Sequence, residues 1–233
     1  MFAIFKRELK AYFYSPIAYV LIGLFILISS FIFRSNLTNG YGGFNDNLNT
    51  MGMILVFIIP ILTMKLLAEE KKNGTEVLLV TSPVKLSGIV VGKYLAALVV
   101  FMIMVIVTLI YPIVLAIYGA PITAQIIGGY IGFILMGAAF VAIGVFASSL
   151  TENQVISAVV GFVCLLLMYV FNLGTSFGGI LSEVLGWLSL FTRYEKINSG
   201  VFDISTIVYF LSFIGIFLFL TVRIVDKKRW SQG

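Results

Sequence analysis

Five long stretches of the chain contain no Asp, Glu, Lys or Arg, and they constrain its fold more than any other feature. They are residues 11–33, 47–64, 94–151, 153–182 and 204–222. A helix needs about 20 apolar residues to cross the hydrocarbon of a membrane. With 61% hydrophobic residues and a mean hydropathy of +1.11, the 233-residue chain is more apolar than a soluble domain. We therefore expect it to span a membrane.

The longest of these stretches is long enough for two spans, because Tyr118-Gly119-Ala120-Pro121 breaks it. The chain is thus predicted to be an all-α integral membrane protein, with six transmembrane helices in one transmembrane domain over residues 1–233. Pro112 predicts a kink in the third span, and glycine and alanine residues four apart predict close packing of the fourth. The spans are expected near 16–35, 49–67, 86–117, 123–149, 154–173 and 205–224.

The basic residues fall unevenly on the two sides of such a protein. The N-terminal segment, the 65–93 connection and the C-terminal tail together hold far more Lys and Arg than the opposite loops, which keep Arg34, Arg193 and Lys196. This bias predicts that both termini and the 65–93 connection are cytoplasmic, in a multi-pass protein of the cell (inner, cytoplasmic) membrane. The net charge of +5 then reflects the same bias, and no nucleic-acid partner is expected.

The first 14 residues predict an amphipathic helix that lies at the cytoplasmic face of the membrane. Its apolar positions recur at helical spacing, from Phe2 to Tyr12, with Lys6, Arg7 and Lys10 between them. The Ser-Pro pair at 15–16 is typical of a helix start, so a bend is expected before the first span.

The stretch LAEEKKNGTEVLLVTSPVK, residues 67–85, gathers much of the charge of the chain. Its first part can prolong the second span, and Asn73-Gly74 is expected to end that helix in a left-handed turn. Thr75 can then cap a short second helix whose apolar residues are Val77 to Val80, before Thr81-Ser82-Pro83 starts the third span. Two interpretations stay open for this short helix: it rests on lipid, or it docks a soluble partner.

Residues 174–204 mix aromatic and charged side chains, among them Trp187, Tyr194, Glu183 and Lys196. Such a mixture is typical of a membrane interface. We therefore predict one or two short helices that dip into or lie on the outer leaflet.

Several kinds of chemistry are excluded or unsupported. The chain has no His, which excludes HExxH metal sites and histidine triads, and no catalytic residue or metal ligand is predicted. The run from Gly88 to Lys93 imitates a phosphate-binding loop, but it is one residue short between its glycines. Tyr94 also stands where Ser or Thr would hold magnesium. The chain is not expected to hydrolyse ATP.

Two blocks of the sequence resemble the permease subunits of type-2 ABC exporters. They are FKRELKAYFYSPIAYVLIGLF near the start and LLAEEKKNGTEVLLVTSPVKLSGIVVGKYLAAL after the second span. The likeness extends over nearly the whole chain and is strongest to the gliding-motility-associated ABC permease group.

The resemblance implies an N-terminal elbow helix (1–14), a cytoplasmic coupling segment (68–84) with a coupling helix, and an outer re-entrant or interfacial segment (174–204). It also implies a cytoplasmic ABC ATPase subunit as partner, which would bind the ATP and Mg²⁺ while this chain binds no cofactor. A second permease, either a copy or a paralogue, and the lipid bilayer are the other implied partners. The implied ATPase-coupling residues are Glu69, Glu70, Lys71, Lys72, Gly74, Thr75, Glu76, Leu78 and Leu79.

The family places its substrate path between the second and fifth spans of paired subunits. The corresponding candidates here are Met53, Phe57, Phe162, Leu166, Tyr169 and Asn172. For each of them ordinary helix packing is the competing interpretation.

Two other functions remain alternatives to export. The first is an ATP-driven mechanotransmission or anchor module that acts on an accessory protein at the outer face, with nothing transported. The second is a secondary carrier, which the lack of mid-membrane charges disfavours. The residues do not identify the substrate.

Overall fold

The computed structural model describes residues 1–39, 44–75, 85–119, 123–174, 185–187, 189–201 and 203–231. These residues are helical apart from short connections, and no strand occurs among them. The helices are α1 Phe2–Tyr14, α2 Pro16–Asn39, α3 Phe44–Thr63, α4 Lys65–Lys72, α5 Leu86–Thr108, α6 Ile110–Ile117, α7 Ala124–Leu150, α8 Gln154–Gly174, α9 Leu190–Asn198 and α10 Ile204–Ser231.

Six helical stretches are long and apolar enough to cross a membrane, which confirms the predicted all-α architecture with six spans. The second of them joins α3 to α4, and the third joins α5 to α6. They are Pro16–Thr38, Phe44–Lys72, Leu86–Ile117, Ala124–Leu150, Gln154–Gly174 and Ile204–Lys227.

Helix α7 forms the centre of the bundle, and its small residues explain how. It packs against α3, α5, α8, α9 and α10. In its most apolar stretch of 18 residues 78% is buried, whereas the corresponding value for the sixth span is 11%. A Cβ added at Gly144 would stand 2.1 Å from Oγ1 of Thr63, and one at Gly137 would meet the ring of Phe101 at the same distance. The predicted close packing of this glycine-rich helix is therefore confirmed.

The third span is interrupted at Leu109, between α5 and α6 and about one turn before Pro112, where the sequence predicts a kink. Proline has no N–H, so the carbonyl of Thr108 loses its partner one turn earlier. The hydroxyl of Tyr130 on α7 donates to that carbonyl at 2.8 Å. A neighbouring helix thus satisfies the freed backbone group, as a kink within a membrane requires.

The bend before the first span also has the predicted form. Ser15 is extended (φ −92°, ψ 138°) between α1 and α2, and its Oγ accepts from the N–H of Ile17 at 3.4 Å. Helix α5, by contrast, begins at Leu86 after an extended Lys85, not at the Ser82-Pro83 pair.

Candidate functional site

One end of the bundle, the charged end, brings together α1, the end of the second span and the beginning of the third. Its side chains Arg7, Glu8, Glu70, Lys71 and Lys93 define it. The connection between the two spans, residues 76–84, lies outside the described residues, and so do the predicted coupling residues Glu76, Leu78 and Leu79.

The second span ends where the sequence predicts, at Asn73-Gly74. Gly74 has φ +68°, a left-handed conformation that favours glycine. Its N–H donates to the carbonyl of Lys71 at 3.2 Å, and the N–H of Thr75 donates to that of Glu70 at 3.0 Å. This pair of bonds is a Schellman motif, which satisfies the last carbonyls of α4.

A break at Met64 separates α3 from α4, and Ser148 on α7 bridges it. The Oγ of Ser148 accepts from the N–H groups of Leu67 (2.8 Å) and Ala68 (3.1 Å). The same hydroxyl donates to the carbonyl of Met64 at 3.3 Å. One buried serine therefore satisfies backbone groups on both sides of the break.

The end of α7 also receives Lys71. The ammonium group of Lys71 donates to the carbonyl of Ser149, and the Lys71 side chain is buried. A cation at a helix C-terminus satisfies a free carbonyl and complements the helix dipole. Helix α4 is thus fixed to α7 by Ser148, whose hydroxyl bonds to backbone groups of α4, and by the buried Lys71.

Four charged side chains from three helices form an ion cluster at the same end. Lys93 of α5 lies 2.9 Å from Glu70 of α4 and 3.2 Å from Glu8 of α1. Arg7 of α1 contacts both carboxylates at 2.6 Å. The second and third spans are therefore joined to each other and to α1 immediately before and after residues 76–84.

Lys93 is the centre of this cluster, because its side chain is only 1% exposed. Its ammonium also donates to the carbonyl of Leu66 at 2.6 Å, so three acceptors surround it. Burying the ammonium costs desolvation free energy, which its acceptors offset. Removing one member of such a cluster leaves the opposite charges buried without compensation. This lysine of the apolar third span therefore contacts both α1 and α4.

Helix α1 packs directly on the third span. A Cβ at Gly92 would lie 3.2 Å from the carbonyl oxygen of Met1, so this glycine permits the close approach of the first turn of α1. At the other end of α1, the hydroxyl of Tyr12 donates to the carbonyl of Leu62 at 2.8 Å. The run from Gly88 to Lys93, which imitates a phosphate loop, is part of α5 and serves this packing.

Two groups on α1 have shifted pKa values that follow from these contacts. Partial burial lowers the pKa of Arg7, but the hydrogen bonds and charges of Glu8 and Glu70 outweigh it and raise that pKa overall. Burial raises the pKa of Tyr12, and the nearby Glu8 raises it further. The arginine therefore stays cationic and the tyrosine stays a neutral hydrogen-bond donor.

The predicted coupling residues divide by their surroundings. Glu70 and Lys71 point into the bundle, whereas Lys72, Gly74 and Thr75 are exposed and Glu69 is half-buried. These six residues lie on α4 and its C-terminal turn, with Asn73 between Lys72 and Gly74.

Sequence reasoning missed Arg7, Glu8 and Lys93 as partners of Glu70. A usable signal was present, because Lys93 is a lone charge well inside an apolar helix. A charge in that position needs a partner from another segment.

The substrate-path candidates fall into two groups. Met53, Phe57 and Leu166 are 38%, 58% and 38% exposed on the outside of the chain, and Phe57 meets the ring of Phe162 at 4.9 Å. They form one apolar face on α3 and α8.

The other two candidates point toward α9. Tyr169 packs edge-on against Phe191 at 5.2 Å, and Asn172 donates to a carboxylate oxygen of Glu195 at 3.0 Å. Asn172 also accepts from the hydroxyl of Thr192 at 3.3 Å. These two residues hold α8 and α9 together.

Helix α9 lies in the segment where one or two short outer helices are predicted. Phe191, Tyr194 and Ile197 are buried against the bundle, and Arg193 lies over the rings of Trp187 (4.8 Å) and Tyr209 (5.2 Å). The predicted stretch at 175–184 lies outside the described residues.

Comparison with known proteins identifies the family. The model of a family described as "ABC-2 family transporter protein" matches residues 29–194 of the 233. No match was found among curated proteins. The matched residues run from α2 to α9, and they include Glu70, Lys71 and Lys93. The chain therefore belongs to the ABC-2 transporter family, as a multi-pass membrane permease subunit of an ABC transporter whose family implies a partner ATPase.

Proposed function

We propose that this permease couples ATP hydrolysis by a separate cytoplasmic ATPase subunit to export across the cell membrane, with both termini cytoplasmic. The observation that carries the proposal is the contact between Glu70 and Lys93, at 2.9 Å. It joins the two spans that flank residues 76–84. A push on that connection would therefore move the ends of both spans together. ATP and Mg²⁺ would bind to the ATPase.

In this proposal α1 is the elbow helix and residues 68–84 are the coupling segment. Glu76, Leu78 and Leu79 would contact the ATPase, next to the exposed Lys72, Gly74 and Thr75 and the half-buried Glu69. Glu70 and Lys71 would hold the segment to the bundle, since their side chains already have partners on α1, α5 and α7.

The test is purification of the tagged permease from its native host in mild detergent, with counting of the proteins that accompany it. We expect one soluble ATPase per permease, and we expect Leu79→Asp to abolish the association because a carboxylate would enter an apolar contact. Val201→Asp is the matched control, because Val201 is exposed at the opposite end of the bundle. Normal association of Leu79→Asp would contradict the docking role.

We further propose that the α3–α8 face lines a substrate path between two permeases. Met53, Phe57 and Leu166 are exposed large apolar side chains, which suits a partner helix or an apolar cargo. Since Cys164 is the single cysteine, Phe57→Cys in a Cys164→Ala chain gives a clean cross-linking site.

Oxidation of that variant in membranes should yield a covalent dimer of twice the chain mass if the partner is a second copy. A product of another mass would indicate a paralogue. Ile216→Cys, on the exposed face of α10, is the control and should stay monomeric. Equal cross-linking of the two variants would contradict pairing through the α3–α8 face.

We also propose that the chain belongs to the gliding-motility-associated group and that α9 lies at the outer interface of the membrane. The alternative to export is mechanotransmission to an outer-face protein. The same purification separates them. A stable third protein that is lost in Trp187→Ala, where the ring under Arg193 of α9 is removed, would favour transmission over export.

A further inference from the structure

A cavity of about 190 Å³ lies between α1, the start of α2 and the end of the second span. It is partly open, and its volume is well above the roughly 10–15 Å³ that one water molecule needs. One part of its wall is apolar and the other is charged. The lining residues that matter here are Glu8, Ser15, Ile17, Ile61, Lys65 and Glu69.

Two charged side chains of opposite sign, Lys65 and Glu69, line the cavity and are half-buried in its wall. Neither of them forms an ion pair within the part of the chain that the structure describes. Partly desolvated charges without a partner favour a ligand that supplies both opposite charges.

The two charges stand in a definite order along the second span. Lys65 lies next to the apolar part of the span, and Glu69 follows about 6 Å further along the helix axis. In a phospholipid with an ethanolamine headgroup, the phosphate is bonded to the glycerol and the ammonium lies beyond it. The order of the two charges along the helix, lysine then glutamate, thus matches the order of phosphate then ammonium in that headgroup.

The apolar wall fits the rest of such a lipid. Ile61 is 39% exposed beside the cavity, and Ile17 lies across from it at the start of the first span. These side chains lie where the glycerol and the upper acyl chains would pack. The order of apolar wall, cation and anion does not depend on which side of the membrane this end faces.

We propose that this cavity binds one phospholipid with an ethanolamine headgroup, its phosphate on Lys65 and its ammonium on Glu69. A primary ammonium has three N–H donors for the carboxylate of Glu69, with the hydroxyl of Ser15 available to the phosphate. A choline headgroup has no N–H to donate. A glycerol headgroup would leave Glu69 without a cation, and the carboxylate of a serine headgroup would meet Glu8 and Glu69.

The test is lipid titration of the purified chain in detergent, followed by native mass spectrometry, with phosphatidylethanolamine, phosphatidylcholine and phosphatidylglycerol of identical acyl chains. The wild type should bind phosphatidylethanolamine about tenfold or more tightly than phosphatidylcholine, as expected for charge-assisted hydrogen bonds. Equal affinity for these two lipids, or tighter binding of phosphatidylglycerol, would overturn the proposal. This comparison needs no substitution.

Substitutions then test which residue binds the phosphate and which binds the ammonium. Glu69→Gln should lose about tenfold in affinity for phosphatidylethanolamine and leave phosphatidylcholine binding unchanged. Lys65→Gln should weaken the binding of both lipids, because both carry the phosphate. Lys6→Gln is the control, since Lys6 is exposed on α1 and does not line the cavity. If Glu69→Gln behaves like Lys6→Gln, the ammonium site is not at Glu69.

Discussion

The two ends of the helix bundle are held together by different chemistry. At the charged end, Lys93 is 1% exposed and joins three helices through full charges. At the opposite end, which we call the amide end, neutral amide side chains join the helices. Asn45 donates to the carbonyls of Asn198 and Gln125, and Asn198 donates to that of Asn45 at 3.1 Å.

The difference matters because buried charges and buried amides respond differently to loss of a partner. Breaking a buried ion pair costs about 3–5 kcal/mol, whereas a buried amide left unsatisfied costs about 1–3 kcal/mol. The joint with the larger cost lies beside residues 76–84, and the other joint holds α9 at the opposite end. We therefore expect local opening to cost less free energy at the amide end than at the charged end.

The largest effect is expected for Lys93→Met, which shortens the unbranched side chain by one atom and removes its charge. Glu8 and Glu70 would then share only Arg7, which is 53% exposed. We expect a loss of about 3–5 kcal/mol in the free energy of unfolding. Unfolding in detergent, followed by tryptophan fluorescence, measures it.

Lys6→Met is the control for that comparison, since Lys6 lies exposed on the same helix as Glu8. A change of within about 0.5 kcal/mol is expected for an exposed position of this kind. If the two variants lose the same free energy of unfolding, the ion cluster does not stabilise the charged end as we expect.

A smaller effect is expected at the amide end for Asn45→Ala. The substitution leaves the carbonyls of Asn198 and Gln125 without this donor, which costs about 1–3 kcal/mol. Asn49→Ala tests the same residue type one turn further along α3, where the described residues give the side chain no hydrogen bond. A loss at Asn45 larger than that at Lys93 would reverse the ranking of the two ends.

An effect no larger than that of Asn45→Ala is expected for Ser148→Ala at the break in the second span. The buried N–H groups of Leu67 and Ala68 would lose their acceptor, at a cost of about 1–3 kcal/mol. Ser157→Ala is a close control, because the buried hydroxyl of Ser157 has no hydrogen-bond partner among the described residues. Ser157→Ala should leave the unfolding free energy unchanged, and equal losses in the two variants would refute the bridging role of Ser148.

Features set by the membrane or by local backbone chemistry could be predicted from sequence. Six spans follow from the length that a bilayer imposes, and the end of α4 at Gly74 follows from the left-handed conformation that glycine favours. The interruption before Pro112 follows from the missing N–H of proline.

The partners across helices could not be predicted, since they depend on how the bundle packs. No local pattern indicates that Glu8 and Lys93, 85 positions apart in the chain, lie within 3.2 Å. The same holds for Ser148 at the break near Met64. The exposed α3–α8 face was foreseen only through the family resemblance, and its role stays a prediction.

If ATP hydrolysis is coupled through the charged end as proposed, α1 and the end of the second span, which Arg7 and Glu70 join, should move as one body. Spin labels at Lys6→Cys and Asn73→Cys, both exposed, would report it in a Cys164→Ala chain bound to its ATPase. We predict one narrow distance distribution that is the same without nucleotide and with ATP, and that broadens in Lys93→Met. A distance that shifts with ATP while Lys93 is intact would contradict the account.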